Sequence, residues 1–195
     1  MTFKRKMQEI KRDLIIEEAT NLFIRDGYEN MKIVDLAKNA GVSIGAIYSM
    51  FGSKEALYNQ YIMGQIEFYI EMMEQELENH TDPIEMLRVV TRIKFEAIMK
   101  NKNGIKENLM SDPTFYLHAS FDENNPLMHM YMYISEKIME PLAKSLGNTV
   151  QPMELFFIYD GLTFGMAKYW ILTGGDLMRR INQSIEMFLT ILKKD

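Results

Sequence analysis

The sequence has no cysteine and no long uncharged apolar run. Its 195 residues therefore form no disulfide and offer no thiolate to a metal ion. Because it also lacks a basic-then-apolar leader and any stretch suited to crossing a bilayer, we expect a cytoplasmic protein. The hydrophobic share of 47% is ordinary for a globular chain of this length, which is large enough to bury a core.

Spacings typical of catalytic and metal sites are missing too. His80, His118 and His129 lie too far apart for a two-histidine metal site on one helix, and the sequence has no nucleophile-elbow or phosphate-loop motif. Acidic pairs such as Asp122 and Glu123 are typical of solvated loops or helix starts. We therefore predict no catalytic residue, no metal site and no cofactor.

Strand-like alternation is absent, and apolar residues recur at helical spacing along the chain. Asp82, Asn125 and Gln151 each precede a proline, which is tolerated in the first turn of a helix, so each pair predicts a helix start. The sequence therefore predicts an all-α fold of about nine helices.

The stretch around Gly41 predicts two helices joined by a tight turn. Ile33 lies on the apolar face of a short helix, and Gly41 allows the sharp turn that follows it. Ser43 is a favoured N-cap, so a second helix begins there, with Ile47 and Phe51 on its inner face. This arrangement is typical of a helix-turn-helix that reads DNA.

The outer face of the second helix is small and uncharged. Gly45 and Ser49 lie on it, flanked by Ala46 and Tyr48. Because this helix carries no Arg or Lys, we expect base reading through apolar contact with thymine methyl groups and through Ser49.

Residues 10–57 resemble the DNA-binding domain of the tetracycline-repressor (TetR) family of bacterial transcription regulators. The residues that carry the resemblance are Ile15, Ala19, Leu22, Phe23, Gly27, Tyr28, Asp35, Leu36, Ala37, Ala40, Gly41, Val42, Ser43, Gly45, Tyr48, Phe51, Lys54 and Glu55. Two positions depart from the family pattern: Met31 replaces a usual Thr or Ser, and Ile44 an often basic or polar residue. Beyond residue 60 the chain resembles the family in helical layout only.

The resemblance implies a helix-turn-helix DNA-binding domain over residues 1–55 and a helical effector-binding and dimerisation domain over residues 56–195. It implies a ligand-responsive transcriptional regulator, a repressor that a small apolar or aromatic effector releases from a palindromic operator. Its partners would be double-stranded operator DNA, the effector and a second copy of the chain, and not a membrane. The positions carried over as DNA contacts are Lys32, Ser43, Ile44, Gly45, Ala46, Tyr48, Ser49 and Lys54.

Charge is distributed unevenly in this acidic chain. The formal net charge is −5, but residues 1–60 carry nine basic and eight acidic side chains, so the acidity lies in the remainder. Five of the first twelve residues are basic and only Glu9 is acidic, which suits an arm that contacts phosphates or the minor groove. A solvated helix face is the alternative interpretation.

Apolar stripes mark the last two predicted helices. Spacing alone fits an internal core, whereas the resemblance implies a dimeric four-helix bundle, and glycines four residues apart favour a close helix approach. The predicted interface residues are Phe157, Gly161, Phe164, Gly165, Leu177, Ile181, Ile185, Phe188 and Leu192.

Aromatic residues and methionines are concentrated in the middle of the chain, which has 18 methionines in all. Such side chains suit an adaptable apolar pocket, although ordinary packing is the alternative for each of them. The candidate ligand-binding residues are Phe95, Met99, Phe115, His118, Phe121, Met128, Tyr131 and Trp170. A second hypothesis stays open, a helical ligand-binding or catalytic module whose DNA-binding domain has decayed.

Overall fold

All secondary structure in the described part of the computed structural model is helical. The structure describes residues 2–103, 105–106 and 126–192. Its first five helices are α1 (Phe3–Asn30), α2 (Ile33–Asn39), α3 (Ile44–Phe51), α4 (Lys54–Leu77) and α5 (Pro83–Lys100). The later ones are α6 (Pro126–Ile134), a π-helical turn (Ser135–Met139), α7 (Glu140–Ser145), α8 (Pro152–Thr173) and α9 (Arg180–Leu192). The predicted all-α fold is confirmed.

The chain divides into two compact units. The first unit contains the residues up to Gln65 and the short described stretch that follows Lys100. The second unit contains Ile66–Lys100 and the described residues from 126 onward. The division falls within α4, beyond the limit at residue 55 that the sequence predicts for the DNA-binding domain.

The first unit packs α1, α2, α3 and the start of α4 around one apolar core. Ile15 and Leu36 are fully buried, and Phe23 lies at the centre of an aromatic group, with ring centroids 5.0 Å from Tyr58 and 5.3 Å from Tyr61. Aromatic pairs at such distances stabilise a core beyond the area that they bury. This core fixes α3 from its inner side.

Two local features of α1 and α2 follow from single residues. Gly27 has a φ of 76°, which interrupts the helical geometry near the end of α1. Met31, which replaces the family's usual Thr or Ser, is a core residue that is only 1% exposed. The N-cap of α2 is Lys32, whose side chain makes no capping hydrogen bond. At position 31, apolar packing of Met31 therefore replaces the capping hydroxyl of the usual Thr or Ser.

The second unit buries one face of α9, which corrects part of the predicted dimer interface. Leu177, Ile185, Phe188 and Leu192 are at most 3% exposed, and the last three belong to the apolar core of this unit. Ile181 packs against that core and is partly buried. Because these side chains are already covered within one chain, a partner subunit has little of them left to contact.

Candidate nucleic-acid interface

The turn between α2 and α3 is fixed by backbone hydrogen bonds and one glycine. Gly41 adopts a φ of 64°, a region that glycine enters without steric cost. The Val42 amide donates to the Ala37 carbonyl oxygen at 2.9 Å, which closes the end of α2. The Ser43 hydroxyl accepts from the Ala46 amide at 3.2 Å, so the predicted N-cap of α3 is confirmed.

Helix α3 has one buried face and one open face. Ile47 is 1% exposed and Phe51 6%, and both belong to the core of the first unit. On the other side the side chains of Ile44 and Tyr48 are exposed, as are Gly45 and Ser49. The only neighbour within 4 Å that a Cβ at Gly45 would meet is the Ser43 hydroxyl, at 4.0 Å. The open face is thus uncharged, and the buried inner face fixes the helix in the core of the first unit.

Lys54, predicted as a phosphate contact, is half-buried beside the end of α1. Its Nζ lies 4.6 Å from the centroid of the Tyr28 ring and donates to the Glu29 carbonyl oxygen at 3.4 Å. Burial and the nearby carboxylates of Glu55 and Glu29 raise the pKa of Tyr28, so its phenol stays neutral at physiological pH. Because the Lys54 ammonium donates to the Glu29 carbonyl oxygen, it also interacts favourably with the negative C-terminal end of α1.

The basic start of α1 has few contacts with the core. The first buried residue of α1 is Ile15. Arg12 is the exception, since its guanidinium lies 5.5 Å from the centroid of the Phe51 ring and donates to Gln60 Oε1 at 2.6 Å. Lys32, the remaining predicted DNA contact, is exposed at the start of α2. Basic side chains and the open face of α3 therefore belong to the same unit.

The comparison with known proteins adds to this geometry. Residues 15–61 match the model of the family described as bacterial regulatory proteins, tetR family. The helix-turn-helix segment of this chain therefore matches the TetR family. The matched segment starts at the first buried residue of α1 and contains the whole of α2, the turn and α3.

Two curated transcription regulators match part of the chain. The regulator HbdR of Aromatoleum sp. is 34% identical over 82 residues, which are 42% of this chain and 36% of HbdR. The repressor KstR2 of Mycolicibacterium smegmatis is 28% identical over 88 residues, 45% of this chain and 43% of KstR2. The matched regions thus span less than half the length of these relatives. FadR of Bacillus subtilis, solved in complex with stearoyl-CoA, is 20% identical to this chain. The two structures align over 92% of this chain and 98% of FadR with a TM-score of 0.69. The two chains therefore share a fold.

The ligand residues predicted from the sequence fall into two groups. Phe115, His118 and Phe121 lie outside the described residues. Of the others, Phe95, Met128 and Trp170 are buried, whereas Met99 and Tyr131 are partly exposed. Trp170 donates from Nε1 to the Gly175 carbonyl oxygen at 3.0 Å, which ties the end of α8 to the loop that follows. Its role in a pocket stays a prediction.

A cavity of about 320 Å³ lies elsewhere in the second unit, and none of the predicted ligand residues lines it. Its lining residues are Arg88, Val89, Arg92, Met178, Arg179, Ile181 and Asn182. All three arginines form ion pairs. Arg88 pairs with Glu85, Arg92 with Glu76 and Glu96, and Arg179 with Asp176.

Within the described ranges, no group of three or more His, Cys, Asp or Glu side chains is arranged to hold a metal ion. Over the same ranges, no helix combines the length and apolarity needed to span a bilayer.

Proposed function

We propose that this protein is a ligand-responsive transcriptional regulator that represses its target by binding a palindromic operator. The observation that carries the proposal is the open face of α3, where Gly45 and Ser49 leave room for base edges while Ile47 and Phe51 anchor the helix. A major groove about 12 Å wide admits such a helix. A bacterial cytoplasm, which contains the chromosome, is the compartment in which this role is possible.

A homodimer would supply the two-fold symmetry of the operator. We assign the interface to the exposed apolar side of α8, where Phe157 is 40%, Tyr169 55% and Leu172 77% exposed. Gly161 and Gly165 lie on the same side, and a Cβ at either would meet nothing within 4 Å in its own chain. On α9 the exposed residues Met187 and Ile191 extend this surface in place of the buried stripe. Contiguous apolar surface of this kind marks protein interfaces.

The second unit would bind the effector. The fold is that of FadR of Bacillus subtilis, which was solved with the amphipathic ligand stearoyl-CoA. An effector acts by binding free protein more tightly than operator-bound protein, and a coupling of about 1 to 3 kcal/mol changes operator affinity roughly 5 to 150-fold.

Selection of bound sequences from random double-stranded DNA tests the proposal. We expect enrichment of a palindrome whose half-sites are about 34–36 Å apart, bound by one dimer and weakened by rising salt. Stearoyl-CoA and dodecanoate should then be added to the complex, as first probes of release. Failure to enrich any sequence, with affinity equal for all duplexes, would favour a ligand-binding module with a decayed DNA-binding domain.

A further inference from the structure

A charged pair lies between α5 and α8 in the second unit. The ammonium of Lys94 donates to Asp160 Oδ1 at 2.6 Å, to the Asp160 carbonyl oxygen at 3.2 Å and to Thr163 Oγ1 at 2.8 Å. Burial lowers the pKa of Lys94, and the Asp160 carboxylate offsets that shift only in part. The ammonium is therefore held where water solvates it poorly.

A buried ion pair of this kind is weak evidence of a stabilising role. Withdrawing two charges from water often costs as much as their attraction returns, and apolar residues of similar volume can hold a core equally well. The pair is nevertheless accessible, since 24% of the Lys94 side chain and 37% of the Asp160 side chain remain exposed. Charged groups that are costly to bury but accessible are typical of binding sites.

Tyr131 of α6 adds an aromatic wall and a second donor. The centroid of its ring lies 4.8 Å from that of Phe156 and 5.4 Å from that of Phe157. Burial and the charge of Asp160 raise the pKa of Tyr131 to about 12, so its phenol keeps its proton at neutral pH. The charge of Asp160 thus acts on both the Lys94 ammonium and the Tyr131 phenol, and the Tyr131 ring packs against two phenylalanine rings.

We propose that Lys94, Asp160 and Tyr131 form the head-group site for an amphipathic carboxylate. Asp160 holds the carboxylate position in the free protein, and the ligand carboxylate replaces it on Lys94 while Asp160 turns toward solvent. The apolar body of the ligand then lies against the ring of Tyr131.

A ligand of opposite charge fits this site poorly. An amine would have to displace an ammonium that is tethered to the chain and already donates to three oxygens. The inference rests on the proposed function, because it names the chemical class of the effector. It also goes beyond that function, since it assigns the charge selection to particular side chains.

Three twelve-carbon probes that differ only in head group test the site: dodecanoate, dodecylamine and dodecanol. Calorimetry on the full chain should show dodecanoate binding at least about tenfold more tightly than the other two. Asp160→Asn removes the competing carboxylate but keeps its shape, so dodecanoate should bind about tenfold more tightly again. Lys94→Met should reduce dodecanoate to the affinity of dodecanol.

Two further variants keep the test decisive. Because Lys94→Met leaves Asp160 without its cation, the double variant Lys94→Met with Asp160→Leu removes the whole pair and should fold while losing the preference for dodecanoate. Lys144→Met is the control, since Lys144 forms an exposed pair with Glu140 at 2.6 Å and should leave all three affinities unchanged.

Equal affinity for the three head groups, tighter binding of dodecylamine, or a dodecanoate preference that survives in the double variant would each overturn the site. Operator release is measured separately. Selective binding of dodecanoate without any change in operator affinity would support the site and contradict the proposed sensing function. Absence of operator binding in the unliganded protein would contradict only the proposed repression.

Discussion

The two units differ in where they place part of their polar groups. In the first unit they lie at the surface and determine local geometry: Ser43 caps α3, and Ser53 accepts from the Ala56 amide at 3.0 Å at the start of α4. The second unit also draws polar groups inward, where Lys94 and Asp160 pair and Thr91 hydrogen-bonds with Tyr159. The first arrangement specifies a backbone shape, whereas the second places charge where a ligand can meet it.

Polar groups in the first unit thus determine the conformation of the recognition helix, and those of the proposed head-group site in the second unit determine which ligand it selects. A recognition helix must present the same surface to every operator, so its conformation is determined by caps, a glycine and a rigid core. A sensory domain must respond, so an interior charge with an exchangeable partner is useful there despite its cost in stability. Substitutions in the two units should therefore separate loss of folding, loss of DNA binding and loss of assembly.

The largest effect is expected in the core of the second unit. Phe188 is fully buried, with its ring centroid 4.8 Å from that of Tyr159. Phe188→Ala should cost about 3–5 kcal/mol of unfolding free energy, because it removes a buried ring and leaves a cavity. Denaturant unfolding at fixed protein concentration measures this, with Met187→Ala as the exposed neighbour. A loss below about 1 kcal/mol would contradict the core assignment of α9.

The core assignment of α9 also shows what apolar spacing in the sequence cannot predict. Helical spacing located the stripe on α9, but both a core and an interface need apolar residues three and four apart, so spacing could not separate them. Exposure does, since Ile185 and Phe188 are covered within the chain while Leu172 is 77% exposed. The charged pair was missed for a related reason. Lys94 and Asp160 are far apart in the sequence, and neither lies in a motif.

The first unit was predicted well because its signals are local. A glycine with φ near 64° and a serine cap are read from a few neighbouring residues, and both are confirmed at Gly41 and Ser43. The burial of Met31 was not predicted, because it depends on packing between helices that the local sequence does not show. The DNA contacts themselves stay predictions, since they depend on the partner.

The next largest effect is expected at the open face of α3. Gly45→Glu should lower operator affinity by at least about 100-fold, or about 2.7 kcal/mol, by placing bulk and negative charge against the duplex. A side chain at Gly45 meets no tight neighbour, so the variant should fold. Gel-shift titration with Asn59→Glu, an exposed position on α4 with the same charge change, gives the comparison. Unchanged affinity in folded Gly45→Glu would remove α3 from the groove.

A smaller effect is expected on assembly. Leu172→Glu should weaken the dimer about tenfold while leaving thermal unfolding of the second unit nearly unchanged, since the side chain is exposed in the single chain. Met132→Glu on α6 is the matched control, because Met132 is 45% exposed outside the proposed interface. Analytical ultracentrifugation measures both dissociation constants. If the two variants weaken the dimer equally, or neither does, the exposed side of α8 is not the interface.

The smallest effect is expected at Lys54, whose ammonium contacts the end of α1 and is also predicted to contact a DNA phosphate. If its ammonium contacts a phosphate, Lys54→Ala should make the slope of log affinity against log salt shallower by about 0.9, for specific and non-specific duplexes alike. Its contacts with the Glu29 carbonyl oxygen and the Tyr28 ring add a modest loss of folding free energy, about 0.3–1 kcal/mol for a cation at a helix end. Lys54→Arg keeps the charge and should keep the slope. A Lys54→Ala protein that loses stability but retains the full salt slope would confine this lysine to closing the end of α1, and the phosphate contact predicted from the sequence would be wrong.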